Sequence, residues 1–130
     1  MKLSDQVCTI DQAKRLKELG IEGSLFNWVS DPGNRTFPHP FLLEGSRHSW
    51  PPDKSYPAFT VAELGVMLPT AHNTMRYTKY PGSGWIGFDR SGHELPGRFN
   101  TEAQARAAML IHLLENNLIT PAEANKRLAE

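Results

Sequence analysis

The chain has 130 residues, with 14 basic and 14 acidic side chains, 39% hydrophobic residues and one cysteine. That length gives one domain, 1–130, burying roughly two-thirds of its unfolded surface, and the balanced charge removes the global positive field behind nonspecific nucleic-acid affinity. A single thiol, Cys8, excludes an internal disulfide framework and any zinc site built on several thiolates.

The amino-terminal stretch MKLSDQVC is interrupted by Ser4, Asp5 and Gln6 and lacks the apolar core of a signal peptide. No apolar run approaches the roughly 20 residues that span a bilayer, so the expected setting is the cytoplasm with no membrane partner. A first helix starts at Thr9, which forms a capping-box pattern with Gln12. Ile10, Ala13, Leu16 and Leu19 then recur every third residue, and Gly20 supplies a left-handed stop. The same spacing returns at Thr60 with Glu63, Thr101 with Gln104 and Thr120 with Glu123, which predicts four helix starts. Phe59 and Leu64 staple the second start, Pro121 occupies the first helical position of the last, and Pro69 and Gly65 keep the second helix short.

Between the first two helices, 24–30 alternates, with Leu25, Asn27 and Val29 on one face and Phe26 and Trp28 on the other. This predicts a strand with its aromatic face inward. Residues 31–57 hold six of the ten prolines and read as a long, largely irregular loop, in which Phe41, Leu42 and Leu43 can pair with the preceding strand. Residues 72–80 and 85–89 flank Pro81, Gly82, Ser83 and Gly84 as a hairpin, with His93, Glu94 and Leu95 positioned to extend the meander. The longest helical pattern is 101–117. Its predicted core stripe is Ala103, Ala107, Leu110, Ile111, Leu114 and Leu118, with His112 on the solvent side. The class these elements predict is α+β: one domain with a three- to four-stranded antiparallel sheet, covered by about four helices, the closing pair lying on one face.

Taken together, segments 12–20 (QAKRLKELG), 24–28 (SLFNW), 56–69 (YPAFTVAELGVMLP) and the alanine-rich helix from Ala103 to Ile119 resemble a group of small uncharacterised proteins from gut-bacterial genomes and prophages. The resemblance spans most of the chain and is weakest over the proline-rich stretch 32–57. It implies a compact intracellular protein carried on mobile DNA, and it brings no activity with it.

The candidate chemistry is sparse. His39, His48, His72, His93 and His112 show no ligand spacing that converges on a metal, and no HExxH occurs, so no metal or other cofactor is expected. Cys8 precedes a helix whose N-terminus can favour a thiolate, yet it also stands at the staple position opposite Ala13. Ser83 lacks the GxSxG context of a nucleophile elbow, and Gly82, Gly84 and Gly87 lack the Lys-Ser or Lys-Thr pair of a phosphate loop. Arg76, Tyr77, Lys79, Tyr80, Trp85 and Arg90 interleave cations with rings, as single-strand nucleic-acid binders do. In the long loop, Phe37, Phe41, Trp50 and Tyr56 stand among the prolines, either as anchors for a protein partner or packed back onto the sheet to close a small core, and His39 lies in a Pro-His-Pro loop with its role open.

The sequence therefore points to a non-catalytic module that binds an unidentified protein or itself. The expected contact surface is Phe37, His39, Trp50, Tyr56, Arg76, Tyr77, Lys79, Trp85 and Arg90. Nucleic-acid binding through the 76–90 hairpin is the alternative, and a small hydrolase using Cys8 or a histidine is the third reading.

Overall fold

The structure is a computed structural model and describes residues 2–45, 50–69, 76–80, 84–88 and 99–130; within 76–80 and 84–88 it gives the strand course and the Trp85 side chain. The α+β class is as expected, with helices α1 (Ile10–Glu18), α2 (Val61–Met67), α3 (Glu102–Glu115) and α4 (Pro121–Ala129). Strands β1 (Phe26–Val29), β2 (Phe41–Glu44) and β3 (Ser55–Pro57) form an antiparallel sheet in the order β2-β1-β3. Strands β4 (Arg76–Tyr80) and β5 (Gly84–Phe88) form a separate antiparallel pair, so the strands divide into two sheets rather than one meander. Trp85 and Phe99 exchange backbone hydrogen bonds in both directions, which brings the chain entering α3 alongside the hairpin. The proposed extension at His93, Glu94 and Leu95 lies outside the described residues.

All four threonines cap their helices, each hydroxyl accepting the backbone N–H three residues on. The reciprocal half of the box forms at Gln12 and Glu63. At α3, Gln104 reaches past the cap to accept from the Asn100 N–H instead. Gly20 adopts φ +89 directly after α1, as the stop requires.

Two readings of the chain are corrected. Leu118 leaves the predicted stripe and is 63% exposed, because α3 ends at Glu115 and Asn117, at φ 56, turns the chain away. The buried face of α3 is also wider than one stripe, since Ala105, Met109 and Leu113 are buried together with Ala103, Ala107, Leu110 and Leu114. The helix packs against α1 and α2 as well as β4 and β5, so neighbours on several sides dry more than one flank. For the same reason His112 is half-buried rather than solvent-facing. The second correction concerns 31–57, which contributes β3 as well as β2. The helix against β3 is α1, and the closing helix α3 packs on the hairpin.

Trp28 and Tyr56 pack against the core from the inner face of the three-stranded sheet, as the alternation of β1 predicts. Val29, on the other face, is nonetheless completely buried. It pairs with Phe41, whose ring joins Phe37 and Trp50 in a cluster over that face.

The two edges of this sheet differ. Ala58 N–H bonds to Phe26 O at 2.9 Å and Ser30 N–H to Lys54 O at 2.9 Å, so the residues of β3 that face away from β1 are Ser55 and Pro57. Each outward group there is absent or occupied. The Ser55 N–H bonds to Pro52 O, its carbonyl accepts from Lys17 Nζ at 2.9 Å, Pro57 has no N–H, and its carbonyl accepts the Cys8 thiol at 3.7 Å. β3 is a sealed edge.

Glu63, which is 7% exposed, joins the sheet to the helical layer. One carboxyl oxygen accepts from Thr60 N–H at 2.9 Å and the other from Leu25 N–H at 3.0 Å. Replacing Glu63 by Ala removes a cap and strands a backbone donor at once. The expected loss is about 1–3 kcal/mol, seen as a lower urea midpoint with an unchanged denaturant slope.

Candidate functional site

The long loop is tied at both ends before it presents any side chain. Ser30 N–H bonds to Lys54 O, and Lys54 Nζ lies 3.8 Å from the Asp31 carboxylate. Within it, Asn34 N–H closes a turn onto Asp31 O, while the Asn34 side-chain oxygen accepts from the N–H groups of Thr36 at 2.8 Å and Phe37 at 2.9 Å. A short polar side chain bonding the backbone two and three residues on is the means by which asparagine fixes a turn. The backbone that carries Phe37 is therefore held in place.

The Phe37 ring meets Phe41 with centroids 5.1 Å apart and Trp50 at 5.9 Å, and Phe41 meets Trp50 at 5.4 Å. The two contacts with Trp50 are edge-to-face, an arrangement aromatic quadrupoles favour. Phe41 and Trp50 are half-buried, whereas Phe37 remains 47% exposed. His39, between two prolines, is exposed beside it.

Tyr56 belongs elsewhere. It lies on the core side of the sheet with Lys14 Nζ 5.4 Å and Lys17 Nζ 5.0 Å from its ring centroid, and its hydroxyl donates to Asp53 O. The sequence grouped Phe37, His39, Trp50 and Tyr56 by their nearness along one loop. Alternation along β3 separates Tyr56 from the others, and Phe41, one of the four loop rings, joins Phe37 and Trp50 in the cluster. The signal available was parity: Phe41 pairs with Val29, whereas Tyr56 pairs with Trp28.

In the hairpin, the register places Lys79 opposite Trp85, Tyr77 opposite Gly87 and Arg76 opposite Phe88. Arg90 and Ser83 lie outside the described residues, as do His48, His72 and His93. No group of three or more His, Cys, Asp or Glu side chains among the described residues is arranged to hold a metal ion. No helix among them is long and apolar enough to cross a membrane.

A cleft of about 530 Å³ opens between the segment after α1 and the outer face of the sheet, lined in part by Lys17, Ile21, Asn27, Trp50, Ser55 and Pro57. Its amine and amide already have partners within the fold: Lys17 Nζ donates to Pro52 O and Ser55 O, and Asn27 Nδ2 to Gly45 O at 2.8 Å. Apart from these groups the lining is mixed, with one aromatic ring, Trp50, and two prolines, Pro52 and Pro57, beside the glycines and polar residues of the segment after α1.

Comparison with protein-family models, with curated proteins and with solved structures gave no match.

Cys8 is completely buried, and desolvation pushes its pKa from 9.0 up to about 12. At neutral pH it is a thiol donating to Pro57 O rather than a thiolate nucleophile. Two outcomes are expected. A disulfide reagent labels Cys8 only as fast as the protein opens, so urea accelerates the reaction. Because the folded thiol keeps its proton to higher pH than the unfolded one, its contribution to stability is intact below pH 9 and declines as pH rises toward about 12, measurable as a falling denaturation midpoint.

Proposed function

We propose that this protein is a non-catalytic module that binds another protein chain or a second copy of itself, with Phe37 and the rings behind it as its central contact. The observation that carries this reading is an aromatic side chain 47% exposed on a backbone fixed by two hydrogen bonds to Asn34 and seated on two further rings. An exposed ring normally costs conformational entropy when a partner immobilises it. Here much of that ordering is done in advance, which is what distinguishes a binding anchor from an incidental surface phenylalanine. Leu25, 63% exposed on the same face of the sheet, widens the apolar area. Zero net charge suits a contact of this kind better than one driven by phosphate neutralisation. Carriage on mobile bacterial DNA and a cytoplasmic setting complete the proposal, on the resemblance described above.

Nucleic-acid binding is the second reading, supported by the register that sets Lys79 opposite Trp85. Native mass spectrometry of the gently purified protein, with absorbance recorded at nucleic-acid and protein wavelengths, separates the two. The expected result is a protein complex without nucleic-acid absorbance. Phe37→Ser should weaken it about 10-fold or more, and Asn34→Ala several-fold through loss of the fixed turn. An oligonucleotide released by salt, with Phe37→Ser indistinguishable from the parent, would reverse the ranking.

A further inference from the structure

We propose that β2 pairs with β2 of a second copy of this chain about a two-fold axis at Leu43, joining two three-stranded sheets into one of six strands. This deepens the binding-module reading and rests on it. The starting point is the alternation of backbone direction along β2. Gly45 N–H bonds to Leu25 O at 2.7 Å, and the register pairs Leu43 with Asn27 and Phe41 with Val29, so Phe41, Leu43 and Gly45 direct their backbone groups toward β1. Bonding of Phe26 to Ala58 on the other side of β1 requires the same phase. Leu42 and Glu44 therefore direct their N–H and C=O groups away from the sheet, where they meet no partner among the described residues. Among the described residues, and in contrast to β3, this edge is open.

Its open groups complement themselves. With Leu43 on the axis, Leu42 faces Glu44 of the second copy in a hydrogen-bonded pair, and Glu44 faces Leu42 of the second copy likewise, so all four outward groups of each strand are used. Pairing about Leu42 instead would bring Pro40 opposite Glu44 and leave the Glu44 carbonyl without a donor. The Leu43 register also matches side chains. Leu43 meets Leu43 of the second copy in a closely spaced pair on the outer face, and Phe41 lies opposite Gly45 of the second copy. Gly45 has φ +89, and nothing lies within 4 Å of where a Cβ would be, so the position has room for an aromatic ring across the strands. That ring would abut Leu25, beside Gly45 and 63% exposed in the single chain. A closed two-fold pairing of like surfaces is the usual form of a homodimer.

Sedimentation equilibrium or light scattering across micromolar concentrations tests this on the whole chain, with amide exchange as a second measurement. The expected species is a dimer in which the Leu42 and Glu44 amides exchange more slowly as concentration rises. Glu44→Pro removes an outward N–H without touching the β1 ladder and should weaken the dimer about 10- to 100-fold with an unchanged circular dichroism spectrum. Glu44→Gln, which keeps the backbone donor and removes a like-charge neighbour, should leave it equal or tighter. A wild-type monomer with fast exchange at Leu42 and Glu44 overturns the proposal, as does a dimer that Glu44→Pro leaves intact. A monomer that still forms a Phe37-dependent complex with another protein would overturn the strand pairing alone and leave the binding-module reading standing. Protection of these amides in a monomer only on adding an extended peptide would assign the edge to that occupant instead.

Discussion

Strand β1 is the constraint on which the rest depends, because each face and each edge of it is committed to a different part of the molecule. Its edges alternate hydrogen bonds between β2 and β3. At its start, Leu25 N–H is held by Glu63 of α2, and from its middle the Trp28 indole N–H donates to the Cys8 carbonyl at 2.9 Å, just before α1. A buried indole without such a partner would carry the desolvation cost of its N–H. Leu25 and Trp28 thus tie the sheet to two helical segments, and Val29 is buried on the face that carries Phe41.

Helix starts were legible because their chemistry is local: a threonine hydroxyl and a backbone N–H three residues away answer to each other whatever surrounds them. The α3 stripe was legible only in part. Periodicity reports that a face is apolar, but the number of flanks that are dried depends on how many elements arrive, and Ala105 and Met109 are buried by neighbours that the helix sequence does not encode. β3 was missed for a related reason. With two prolines before it and one inside it, its local signal is that of a loop, and it is a strand because β1 offers hydrogen bonds to Tyr56 and Ala58. The second bond of Glu63 is likewise tertiary, since the cap to Thr60 is written in the sequence and the link to Leu25 is not.

At the candidate site, Phe37 and Trp50 were recognisable as anchors from composition, but their grouping required the sheet. Strand parity sends Tyr56 to the core side, where lysines of α1 lie over its ring, and brings Phe41 to the other. Asn34 carried a turn signal in its own right, although its role in holding Phe37 follows only from the geometry of the bend. Cys8 shows the opposite case. The position before a helix start suggested reactivity, and the same position, once covered, supplies an inert donor for an edge carbonyl.

That carbonyl and its neighbours on β3 have a consequence for growth. A sheet with two open borders can recruit strands indefinitely, which is the geometry of fibres. Here Lys17, Cys8, the Pro52 carbonyl and the ring of Pro57 close one border chemically rather than sterically, through two donors, one acceptor and one missing hydrogen. Strands can be added to this sheet from the β2 side alone, and where the addition is a second copy of the chain, that copy's own β3 closes the far side. These groups would hold such a pairing to two chains, and they would do so from the side that takes no part in it.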